Sequence, residues 1–83
     1  MANKVDLPVR PGDVIQVAEP DYCYGKGTLK LRITEILGID RQSDGAWVSM
    51  YGVTVYPNGR ESAVHPVSVR LSVLAAARRA AVL

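Results

Sequence analysis

Apolar and polar residues alternate most cleanly from Thr28 to Leu37, where Leu29, Leu31 and Ile33 interleave with Lys30, Arg32 and Thr34. A period of two predicts a strand with its leucines and isoleucine buried and its cations in water. Asp13 to Ala18, around Val14-Ile15-Gln16-Val17, predicts an earlier, shorter β-branched strand. Between them, Glu19 to Gly27 loses the period and carries Pro20, Asp21, Gly25 and Gly27, which predicts a long loop. Gly38 to Gly45, with Asp40, Ser43 and Asp44, predicts the next loop. Ala46 to Tyr56 predicts a third strand whose alternation changes phase at Gly52. A glycine bulge at Tyr51-Gly52 would bring Val48, Met50, Val53 and Val55 to one face and turn Trp47, Ser49, Tyr51, Thr54 and Tyr56 outward.

Asn58-Gly59 predicts a type I′ hairpin turn, since both residues tolerate positive φ. Glu61 to Leu71 predicts a fourth strand with His65, Val67, Val69 and Leu71 on one face. Pro66 lacks an N–H, which calls for a bulge, an edge position or a split there. Ser72 reads as a helix N-cap, followed by a helix over Val73 to Val82 with an apolar stripe of Val73, Leu74, Ala77, Ala80 and Ala81. Residues 1–12 predict a lead-in arm, extended around Pro8 and Pro11 and closed by a Pro11-Gly12 turn. Residues 13–83 are expected to form the barrel with its C-terminal helix.

With 83 residues the chain has room for one domain. A single sheet of this length has no second sheet to cover it, so it must bend on itself. The expected class is mainly β, a small barrel of four to five bent antiparallel strands with a short C-terminal helix. There is no Phe, one Trp and four Tyr, so Val, Leu, Ile and Ala must build the core. Ten basic and eight acidic residues give a net charge of +2, which permits nucleic-acid binding without demanding it. Cys23 is the single cysteine and His65 the single histidine, so neither an internal disulfide nor a four-ligand zinc site is expected, and no cofactor. Residues 1–6 hold no apolar signal-peptide region, and no apolar run reaches membrane-span length. The expected compartment is the cytoplasm, with no membrane partner.

Catalytic chemistry finds little footing. His65 falls on the inward face of a strand and reads as a core or rim histidine. Cys23 reads as a small hydrophobe, and only Lys26 lies near enough in sequence to activate it. Gly25-Lys26-Gly27-Thr28 lacks the first glycine of a phosphate-binding loop and precedes a strand instead of a helix. The chain is therefore expected not to be an enzyme.

Pro11-Gly12-Asp13-Val14-Ile15-Gln16-Val17, then Gly25-Lys26-Gly27, then Leu31 to Leu37 resembles the opening of KOW and Tudor-like SH3 barrels. The resemblance covers residues 11 to 55 and implies an SH3-like barrel with its first long loop folded over the sheet. The whole chain also resembles short actinobacterial proteins, which the low Lys and high Arg, Ala and Val usage matches. In such a barrel Tyr22 and Tyr24 of the long loop would meet Trp47 and Tyr51 in an aromatic groove. Grooves of this kind bind polyproline segments, methylated cations or bases.

The leading expectation is a non-enzymatic binding module that docks a protein segment at Tyr22, Tyr24, Trp47 and Tyr51. A second is a nucleic-acid accessory protein that uses Lys26, Lys30 and Arg32, with aromatic stacking beside them. A third is a structural subunit of a larger assembly. Val5 to Val9 and the helix tail offer elements for a homodimer.

Overall fold

The computed structural model describes residues 7–18, 22–23 and 27–82. The alternating segments form β1 (Val14–Val17), β3 (Leu29–Gln42), β4 (Gly45–Thr54) and β5 (His65–Arg70). A two-residue strand β2 (Tyr22–Cys23) lies inside the expected long loop. A 3₁₀ turn (Leu71–Val73) leads into helix α1 (Leu74–Val82). All five strands belong to one antiparallel sheet in the order β1-β3-β4-β5-β2. The sheet curls into a half-barrel with β1 and β2 at its edges, the mainly β class the sequence predicted. Among the described residues no helix is long and apolar enough to cross a membrane.

Register decides which side chains share a face. Ile15 pairs with Leu31, and Val17 with Leu29. Ile33 lies opposite Gly52, Val48 opposite Val69, and Met50 opposite Val67. These rows form the concave face, closed by Tyr22, Leu74 and Ala77 in one buried cluster. Each large side chain removed from water there contributes about 1.5–3 kcal/mol. Helix α1 packs across β1 with Leu74 and Ala77, the centre of the expected stripe. Alone it would be too short to persist.

Several expectations are corrected. The segment from Gly38 to Gln42 is strand, paired with Ser49 back to Gly45, and only Ser43 and Asp44 remain as turn. The β4 register runs unbroken through Gly52, so no bulge lies there. The two extra residues are on β3, Thr34 and Leu37. Val53 consequently pairs with Arg32 on the convex face, and Thr54 opposite Leu31 on the concave one. Gly52 serves another purpose: a Cβ at this position would lie 2.8 Å from the Arg32 carbonyl oxygen and 2.9 Å from Leu31 Cγ.

The hairpin after β4 is not type I′. Gly59 N–H donates to Tyr56 O at 2.8 Å, Tyr56 N–H donates to Arg60 O at 2.8 Å, and of the pair only Gly59 has positive φ, +85°. This is a three-residue turn closed by a left-handed glycine, which Pro57 favours at its second position. The fourth strand breaks at residues 62–64 instead of at Pro66, since Ser62 Oγ takes the Thr54 N–H at 2.9 Å in place of a ladder carbonyl. Pro66 pairs with Tyr51, beyond the reach of β2, so it takes the edge position expected of it. Ser72 lies inside the 3₁₀ turn and does not cap the helix.

Candidate functional site

Of the four aromatic residues expected to share a groove, the three that the structure describes do not. Tyr22 sits opposite Val69 on the concave face, 6 % exposed, and its hydroxyl donates to Gly27 O at 2.7 Å. Trp47 lies on the convex face between Asp40 and Arg70, 5 % exposed. Its Nε1–H donates to Asp44 Oδ1 at 3.0 Å, and the Arg70 guanidinium carbon stands 4.5 Å from the ring centroid. Arg70 also donates to Asp44 O at 2.8 Å, so turn, indole and guanidinium form one clamp. Trp47's N–H, more than any other contact, holds the Asp44 carboxyl below the usual carboxylate range. Tyr51 points from the same face, about 13 Å further along β4, beside Pro66. Tyr24 lies outside the described residues.

Of the three cations, Lys30 and Arg32 share one face of β3 but differ in their ties. Arg32 Nε donates to Glu61 Oε2 at 3.0 Å, and its terminal nitrogen to Oε1 at 2.8 Å. This bidentate pair holds the Glu61 carboxyl below its usual range, chiefly through the hydrogen bond. Lys30 is exposed, on the same strand, and free of such a tie among the described residues. Lys26 lies outside them.

One cleft does gather members of both sets. Gln16 and Lys30 face each other across the β1–β3 pairing. The Val55 N–H donates to Lys30 O at 2.8 Å, which carries the end of β4 alongside. The following hairpin then places Tyr56 and Pro57 over the same end of the sheet. Its shape is held by the two turn hydrogen bonds and by Asn58 Oδ1, which accepts the Arg60 N–H at 2.9 Å. Leu29 and the Tyr22 ring belong to the buried cluster and lie at the bottom of a cleft of about 740 Å³. Tyr56 is 48 % exposed at its rim. Among the described residues the side chains of Gln16, Thr28, Lys30 and Tyr56 hold no intramolecular hydrogen bond. An apolar bottom under uncommitted polar groups, at this volume, has the make-up of a binding site.

Sequence reasoning assigned Tyr56 to a continuous strand face with Trp47 and Tyr51. The signal against that was Pro57, which ends the ladder and starts the turn. Beside the cleft, Thr54 Oγ1 and His65 Nε2 are 3.0 Å apart, a cross-strand pair beneath Gly52 that ties β4 to β5. A second depression, of about 610 Å³, runs from Pro8 along Ala75, Arg79 and Val82 of α1. Its other cation, Arg78, is committed to Pro8 O at 3.3 Å and Asp13 Oδ2 at 3.8 Å.

No family model, curated protein or solved structure matches the chain.

Proposed function

We propose that the chain is a non-enzymatic binding module that docks an extended segment of a protein partner in the cleft between Gln16, Lys30 and the Tyr56 hairpin. The observation that carries this reading is the rim of Gln16, Thr28, Lys30 and Tyr56, uncommitted above Leu29 and the Tyr22 ring. The Tyr56 ring adds a large apolar face at low entropic cost, which suits it as an anchor for a partner side chain. Trp47 drops out of the binding set, because its ring and its N–H are both engaged by the clamp.

Short random peptides selected on the full chain test the reading, with the bound site mapped by amide chemical shifts. Shifts centred on Gln16, Lys30, Tyr56 and Gly59 are expected. Shifts centred instead on Tyr51 and Pro66 would move the site to the convex face and overturn the proposal.

A further inference from the structure

The cleft carries information about its ligand's charge. Lys30 is the one cation among its described lining residues, and none of them is acidic. Three backbone donors of the hairpin are spent: Val55 N–H on Lys30 O, Tyr56 N–H on Arg60 O, and Gly59 N–H on Tyr56 O, each at 2.8 Å. A chain-terminal carboxylate is usually captured by a nest of such free N–H groups. A nucleic-acid backbone calls for several cations in a row, and the neighbouring Arg32 is already paired with Glu61. Among the described lining residues what remains is one exposed ammonium, that of Lys30, beside an aromatic ring and a proline, which complements one carboxylate side chain next to one apolar side chain.

We propose that the docked segment carries an aspartate or glutamate whose carboxylate pairs with Lys30, while its neighbour packs on Tyr56 and Pro57. This refinement rests on the cleft being the docking site. Gln16 and Thr28 supply hydrogen bonds to the segment's backbone.

Peptides selected from a random library on the full chain provide the probe. The expected sequences share an acidic residue beside an aromatic or aliphatic one. Lys30→Gln should weaken the best peptide about fivefold, the size of an exposed ion pair. Replacing the peptide's acid by its amide should weaken it equally, and the two changes together no further. Because Lys30 is exposed, the variant should unfold at the wild-type denaturant concentration. Peptides that require Tyr56 yet bind Lys30→Gln at full strength would overturn the acidic-ligand inference and leave the cleft as the docking site. Loss of binding on amidating the peptide's C-terminus would also overturn it, in favour of a terminal carboxylate. Peptides indifferent to both residues, or no peptides at all, would remove the docking reading itself. A single-stranded oligonucleotide that binds more tightly than any peptide, and only while Lys30 is present, would replace both with phosphate recognition.

Discussion

The Arg70 guanidinium lies face-on to the Trp47 indole, 4.5 Å from its centroid, and both groups reach back to Asp44. The pair faces across β4 and β5, and so fixes the Ser43-Asp44 turn to the end of β5. A cation–π contact of this kind adds about 0.5–1 kcal/mol beyond the area buried. The single tryptophan should therefore emit at the short wavelengths of a buried indole and resist iodide quenching. Trp47→Ala should cost about 3 kcal/mol, which is a large share of the stability of so small a domain. Urea unfolding followed by circular dichroism checks the cost. A long-wavelength emission maximum in the native protein would contradict the clamp.

Gly52 is predicted to resist even the smallest side chain. Its constraint is steric, because the added carbon would press on the Arg32 carbonyl and the Leu31 side chain. Neither can withdraw freely, since Leu31 is fully buried and Arg32 belongs to the β3–β4 ladder. Gly52→Ala should destabilise by about 1–3 kcal/mol. The control Gly38→Ala, in open space on the same strand pair, should cost far less. Equal midpoints in urea for the two variants would count against the register.

Acid should weaken the fold through two carboxylates. Asp44 is held below the usual carboxylate range by Trp47's N–H first, and Glu61 by its hydrogen bond from Arg32. A lowered folded-state value means that the unfolded chain takes up the proton first. Their stabilisation is therefore complete above the ordinary carboxylate range and is lost as pH falls through it toward the lowered values. Both groups are well exposed, so solvent screening keeps the effect small. Asp44→Asn keeps an acceptor for Trp47 and should flatten the acid limb of a stability–pH curve. An unchanged limb would show that Asp44 carries none of it.

The concave face was legible in the sequence because each of its rows keeps a strict period of two. Leu29-Leu31-Ile33, Val48-Met50 and Val67-Val69 all lie where alternation places them. The second half of β3 was not legible. Its two bulges, at Thr34 and Leu37, shift the phase twice within four residues, so Gly38 to Gln42 reads as loop when it is strand. Gly52 misled for a related reason: it marks a close approach of backbone and side chain, not an inserted residue.

The aromatic groove failed on a different count. Alternation correctly turned Trp47 away from the concave core, but outward does not mean exposed. What covers the ring is Arg70, a cross-strand neighbour distant in the chain, together with Asp44 from the turn. Lys30 and Arg32 read alike as wet cations. Only the folded hairpin brings Glu61 to Arg32 and leaves Lys30 beside Tyr56.

The affinity of the Tyr56→Ala domain for a peptide selected by the wild type tests the cleft most directly. Tyr56 is half exposed, so the variant should remain folded with stability within about 0.5 kcal/mol of wild type. Removing an aromatic anchor should weaken binding about tenfold or more. Undiminished affinity in the folded variant would contradict the placement of the binding site between Lys30 and the Tyr56 hairpin.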